Sequence, residues 1–152
     1  MADLWPSDLA DIGTMNLPHG LLQEQADLLA RHTKHLLEGR VYNSSDELSE
    51  VDDPGPRHMR WSFAVFAPKL NYRYVLFSIT HDIDLYPVRL EIEDQRIKLP
   101  AGMNPLIEDE ETLLAALKEI FSAERTKQVV RSLMAQSVQN PEILRKKVLP
   151  DF

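Results

Sequence analysis

One histidine and two aspartates, His81, Asp82 and Asp84, stand together directly after the most apolar stretch of the chain. A histidine beside two carboxylates can act as a general base or help to hold a divalent cation. Nucleases with acidic strands place a lysine two residues after a strand carboxylate, and neither Glu91 nor Glu93 is followed by one. A polar turn in which aspartate binds its own backbone explains the same residues. We therefore keep a hydrolase, such as a phosphodiesterase or nuclease, as an alternative function.

A second candidate group contains a pair of histidines, His32 and His35, near the end of a predicted helix. Glu24 and Glu38 lie at spacings that could bring them near this pair on a helix. Residues three apart share a helix face, so the two rings could bind a metal together. The two-histidine zinc signature instead needs a spacing of four with a glutamate between. The pattern favours a solvated or core-flanking pair, and we predict no metal site and no cofactor.

A third group, His58, Arg60 and Arg89, is predicted to share one sheet face with Tyr72 and Tyr74. Histidine, arginine and tyrosine are groups that a metal-free, phosphodiester-cleaving toxin could use. A charged ladder on the wet face of a sheet would use the same residues. The sequence contains neither a glycine-rich phosphate loop nor a serine nucleophile elbow. Because no coherent catalytic set emerges, we interpret the chain as a protein without catalysis of its own.

Three segments of alternating pattern predict the sheet that must position these groups: His58–Phe66, Tyr72–Thr80 and Tyr86–Glu93. The middle segment is apolar on both faces, which favours a central strand. Short connectors predict an antiparallel meander, and Pro87 favours an edge place for the last segment. Residues 40–43 could add a fourth strand. The expected core face consists of Trp61, Phe63, Val65, Val75, Phe77, Ile79, Val88, Leu90 and Ile92.

The opposite face of this predicted sheet mixes aromatic, arginine and apolar side chains. Its members are Arg60, Phe66, Tyr72, Tyr74, Leu76 and Arg89. Surfaces of this composition are enriched in protein interfaces, and large exposed apolar patches usually have a use. A covering loop or C-terminal tail is the other explanation. We predict a partner-binding surface here, for a second copy of the chain or for another protein.

Helical patterns flank the sheet on both sides. Leucine doublets beginning at Leu21, Leu28 and Leu36 predict a first helix that starts at Pro18 and stops at Gly39. Residues 1–17 precede it as an arm whose Trp5 is expected to dock on the body. Residues 108–121, 122–134 and 140–150 carry start signals and apolar stripes for two to three more helices. The sequence therefore predicts one α+β domain, residues 1–152, in the order α-β-β-β-β-α-α. It has a three- or four-stranded meander, with the helices packed on one face.

Charge and composition limit the partners. The net charge is −7, and only residues 112–152 carry more basic than acidic residues. No basic stripe of the kind that holds phosphate backbones is visible, so nucleic-acid binding is disfavoured. No apolar run approaches the roughly 20 residues needed to cross a bilayer. The chain has no cysteine and no visible signal peptide, which predicts a cytoplasmic protein.

Residues 44–56 contain five acids, no base and a Pro-Gly-Pro ending, which predicts an acidic flexible loop over residues 44–57. Together with residues 108–111, the acids of residues 44–53 could bind a basic partner, as an immunity- or decoy-type protein would. This is the second alternative function. The favoured interpretation is a small cytoplasmic interaction or regulatory module that associates through one sheet face.

Overall fold

The computed structural model describes residues 1–12, 17–45 and 58–139. The elements in chain order are α1 (Pro18–His32), β1 (Glu38–Asn43), β2 (Met59–Ala67), β3 (Tyr72–His81), β4 (Val88–Ile92), β5 (Leu106–Ile107), α2 (Glu110–Ser122) and α3 (Glu124–Val138). The five strands form one open antiparallel sheet in sequence order. The predicted α+β class and meander are confirmed, with five strands rather than three or four. The short helix predicted at 140–150 lies outside the described residues.

The sheet has an inner face covered by helices and an outer face turned away from them. On the inner face Phe63 and Phe77 stack at 5.3 Å between ring centroids, and Phe121 of α2 packs on Phe63 at 5.2 Å. His19 of α1 stacks on Trp61 at 4.1 Å. Fully burying aromatic groups of this size stabilises a domain by about 1.5–3 kcal/mol each. The core therefore lies between the inner face and the helices, as predicted.

A β-bulge in β3 changes which side chains face the core. Phe63 pairs with Phe77 and Ala64 pairs with Val75, so Leu76 is an extra residue between two ladder positions. Leu76 and Phe77 are adjacent, yet they are only 1% and 0% exposed. The bulge reverses the alternation before it: Val75, expected in the core, lies on the outer face.

The first helix ends earlier than the leucine pattern predicts. It stops at His32, and the hydroxyl of Thr33 donates to Leu29 O and accepts from Leu37 N. Lys34 and His35 have positive φ angles of 52° and 65°, which a helix cannot continue through. The chain then turns back so that β1 packs under α1.

Gly39, which we expected to stop the helix, instead lies in β1 against Ala26 of α1. A Cβ atom at this position would lie 2.4 Å from the Cα of Ala26. The glycine therefore permits a close approach of strand and helix. Its function is packing rather than helix termination.

The fifth strand is only two residues long, and it extends the sheet beyond Arg89 and Val88 of β4. Asp109 then begins α2, because its carboxylate accepts a hydrogen bond from Thr112 N at 2.7 Å. Glu110 and Glu111 occupy the first turn, where the helix dipole favours negative charge. Of the acids predicted to bind a basic partner, Asp109, Glu110 and Glu111 therefore lie at the start of α2.

The N-terminal arm is exposed throughout its described part, residues 1–12. Trp5 is 76% exposed, so the expectation that it docks on the body of its own chain is wrong. Of the predicted acidic loop 44–57, Ser44 is 1% exposed and residues 46–57 lie outside the described residues. Over the described ranges, no helix combines the length and the apolar content that crossing a bilayer requires.

Candidate functional site

Two arginines lie over two aromatic rings on the outer face near the sheet edge. The guanidinium carbon of Arg40 lies 3.7 Å from the ring centroid of Phe66, and that of Arg73 lies 4.9 Å from the ring of Tyr42. Such pairs contribute about 0.5–1 kcal/mol at exposed sites. Arg40 also pairs with Glu38 at 3.1 Å, whereas no ion pair of Arg73 occurs within the described ranges. We call Arg40, Tyr42, Phe66 and Arg73 the arginine–aromatic patch.

The predicted partner-binding residues divide between the two faces. Phe66, Arg60 and Arg89 lie on the outer face. In the strand register, Thr80 of β3 has Arg60 of β2 on one side and Arg89 of β4 on the other. The bulge instead places Tyr72 and Tyr74 on the inner face, opposite Ala67 and Val65, and Leu76, the bulged residue, also faces inward beside Phe63 and Val65. The expectation that all six share one surface is therefore wrong.

The members of the patch that the sequence interpretation missed are Arg40, Tyr42 and Arg73. Tyr42 lies in the predicted fourth strand, whose faces were not assigned. Arg73 lies in the central segment, on the side that uninterrupted alternation assigns to the core. The only signal that could have found Arg73 is its charge, because an arginine at a core position is rarely buried unpaired.

A row of hydroxyls crosses the middle of the outer face. Ser44 Oγ lies 2.7 Å from Ser62 Oγ, which lies 2.9 Å from Ser78 Oγ. Ser78 in turn donates to a carboxylate oxygen of Glu93 at 3.5 Å. Arg60 lies beside the end of this row and pairs with Glu93 at 3.2 Å. The three serines are at most 1% exposed, so this row is a satisfied structural network rather than an open site.

Tyr74 belongs to an ionic cluster that joins the sheet to α3. Its hydroxyl donates to Asp94, and Arg125 Nε donates to the same carboxylate at 2.8 Å. Burial alone would raise the pKa of Asp94, but the hydrogen bonds from Arg125 and Tyr74 hold it well below its usual range. Burial and the bond to Asp94 raise the pKa of Tyr74 to about 12. These hydrogen bonds hold α3 against the sheet.

The three residues of the hydrolase alternative do not converge. His81 is 4% exposed, and its Nδ1 lies 2.7 Å from the backbone oxygen of Asp82. The carboxylate of Asp82 points to solvent and lies 2.5 Å from Nδ1 of His58. Asp84 is exposed in the turn, where its backbone oxygen accepts from Tyr86 N. A buried histidine and two exposed carboxylates do not form the base-and-metal arrangement that the hydrolase alternative needs.

His81 instead belongs to a buried polar group on the inner face. Burial, and then the proximity of His81, lower the pKa of His19. Burial, with smaller contributions from the acids at the start of α2, raises the pKa of Tyr86. Within the described ranges, Trp61 Nε1, His81 Nε2 and Tyr86 Oη are buried without hydrogen-bond partners. Because these atoms are buried, they are not exposed to a substrate in this conformation.

The arrangement in which His32 and His35 would bind a metal from one helix face is not formed either. His32 ends α1 and His35 lies beyond it with a left-handed backbone, so the two do not share a helix face. In residues 1–12, 17–45 and 58–139, no three histidine or carboxylate side chains gather in a way that could hold a metal ion.

An apolar cleft of about 340 Å³ opens between α1 and α3 on the helical side. Its floor is formed by Phe63, Val65 and Leu76, and Leu28, Leu29 and Val130 form its walls. His32, Lys127 and Arg131 line its rim, and among the described residues no carboxylate lines it. We call this feature the α1–α3 cleft. Its size and apolar lining are typical of ligand or side-chain binding sites.

Comparisons of this chain with family models, with curated proteins and with solved structures found no match.

Proposed function

We propose that this chain is a protein-interaction module without catalysis of its own, and that the arginine–aromatic patch is its contact surface. The observation that carries the proposal is the placement of the helices. α1, α2 and α3 all pack on the inner face, while two arginines and two aromatic rings remain on the outer face beside an edge strand. Arginine and aromatic residues are the groups that most often dominate binding energy in interfaces.

The partner that we propose is a second copy of the chain. Arg73 lacks an ionic partner within the described ranges, and a chain with 24 acidic and 17 basic residues offers carboxylates to it. Glu38, which also pairs with Arg40, and Glu91, which also pairs with Arg60, lie on the same outer face and are candidates, because a two-fold interface brings each patch against the same face of its partner. The proposed setting is the cytoplasm, with which the absence of cysteine is compatible.

Sedimentation equilibrium tests this proposal. The wild-type chain should show a concentration-dependent monomer–dimer equilibrium, and Phe66→Asp or Arg73→Glu should each weaken it about tenfold or more, since removing a dominant contact costs at least about 1.4 kcal/mol. Leu114→Asp and Lys118→Glu introduce the same charge changes on exposed positions of α2 and should leave the equilibrium unchanged. A wild-type chain that stays monomeric at every concentration would refute self-association, and so would patch variants that behave like the α2 controls.

A further inference from the structure

Two features described above have no function in the proposed interface: the exposed N-terminal arm and the α1–α3 cleft. In the arm, Leu4, Trp5, Leu9 and Ile12 are 91%, 76%, 56% and 72% exposed. A single exposed apolar side chain is ordinary, but four large ones within nine residues form a patch of the kind that marks a binding segment. Binding of the arm to an apolar surface would therefore remove these four side chains from water.

The cleft offers a surface with the matching character. Its floor is the apolar centre of the inner face, and its rim carries His32, Lys127 and Arg131. The arm carries three aspartates, Asp3, Asp8 and Asp11, and no lysine or arginine. Apolar groups that enter the cleft would thus bring carboxylates to a cationic rim. Such complementarity of charge fixes the orientation of a bound segment and excludes wrong partners.

The structure favours an arm from another molecule. All described residues of the arm, 1–12, are exposed, so the arm does not occupy the cleft of its own chain. An arm from a second copy would cover the apolar side chains of the arm and the apolar floor of the cleft at the same time.

From these observations we propose that residues 4–12 of one chain bind in the α1–α3 cleft of a second copy. Trp5 would enter the apolar part of the cleft, and the aspartates would lie against Lys127 and Arg131 at the rim. Lys127 already pairs with Glu124 at 2.8 Å, so Arg131 would carry more of the attraction. This contact involves neither the arginine–aromatic patch nor the outer face.

Because the chain has no cysteine, single engineered cysteines give a direct test in the full chain. A chain carrying Ser7→Cys on the arm is mixed with a chain of different tag length carrying Gln25→Cys beside the cleft, and a short bis-maleimide is added. The expected product is the mixed dimer, formed about tenfold more than with a control partner carrying Arg89→Cys on the outer face, as a preference of about 1.4 kcal/mol would give. A yield equal to that control overturns the proposal.

Variants then separate the proposed contact from other encounters. Trp5→Asp should reduce the mixed product about tenfold, whereas Ala10→Asp, which adds the same charge to a small exposed arm residue, should reduce it far less. Arg131→Glu should also reduce it, whereas Lys98→Glu should not. Raising the salt from about 0.1 M to about 1 M shortens the Debye length from about 10 Å to about 3 Å and should weaken the rim contribution only. Equal yields from Trp5→Asp and Ala10→Asp would exclude Trp5 as the anchor.

Two further measurements distinguish this contact from its competitors. Phe66→Asp should leave the mixed product unchanged, because the proposed contact is independent of the patch. A single chain carrying both Ser7→Cys and Gln25→Cys should cross-link mainly as a dimer. If that chain instead cross-links internally as a monomer, the arm binds its own cleft and the exchange between copies is refuted.

Discussion

Asp94 offers the sharpest test of how the sheet and α3 are joined. Its side chain is 8% exposed and accepts hydrogen bonds from Tyr74, from Arg125 at 2.8 Å and from Arg96 N at 2.9 Å. Asp94→Asn keeps the size of the side chain but removes its charge and turns one acceptor into a donor. Hydrogen bonds to charged groups contribute about 1.5–3 kcal/mol each, and leaving a buried partner unsatisfied adds to that cost.

We expect Asp94→Asn to lower the free energy of unfolding by about 2–3 kcal/mol, which is less than the sum for all its hydrogen bonds because Arg125 remains partly in water. For a domain of this size the melting temperature should fall by roughly 4–12 °C. Urea unfolding followed by circular dichroism measures the change, and Asp84→Asn, at an exposed turn position, is the matched control. A loss below about 0.5 kcal/mol, equal to that control and typical of surface substitutions, would refute the stabilising role of the ionic cluster at Asp94.

Two further predictions concern the same core. Since the pKa of Tyr74 is raised to about 12, the folded state retains a proton that the unfolded state loses near pH 10, so stability should fall as the pH rises from about 10 to 12. Tyr74→Phe should abolish that fall and Tyr72→Phe should not, which urea unfolding at several pH values would reveal. If the two variants lose stability equally between pH 10 and 12, the fall does not come from Tyr74. Gly39→Ala should destabilise the chain by about 1–3 kcal/mol, because its Cβ would collide with Ala26. Gly20→Ala, whose Cβ would be 3.9 Å from its nearest neighbour within α1, should instead stabilise by roughly 0.5–1 kcal/mol, and thermal unfolding of the pair checks the contrast.

The parts of the fold that follow from local pattern could be predicted. β2 and β4 alternate cleanly, so their core faces were assigned correctly, and the meander followed from the short connectors. The bulge could not be predicted in the same way. In a strand that is apolar on both sides, a one-residue shift of the pairing register buries about as much apolar surface as before. The sequence therefore allows Leu76 and Tyr74 on either face.

Contacts between distant residues account for the rest. The close approach of Gly39 to Ala26 and the ion pair of Asp94 with Arg125 join positions that no local spacing connects. The end of α1 was missed for a related reason, because Leu37 continues the helical stripe in sequence yet reaches the core from a different backbone conformation. Sequence patterns report one element at a time, and the candidate site depends on how several elements meet.

The hydroxyl row on the outer face has a fixed polarity. A carboxylate such as Glu93 can only accept, so Ser78 must donate to it, Ser62 must then donate to Ser78, and Ser44 must donate to Ser62. Every proton in the row points the same way, from the segment that follows β1, across β2 and β3, to the segment that follows β4. No single hydroxyl can reverse alone while all three hydrogen bonds are kept, so the orientation of the Ser44 hydroxyl depends on the acceptor at Glu93.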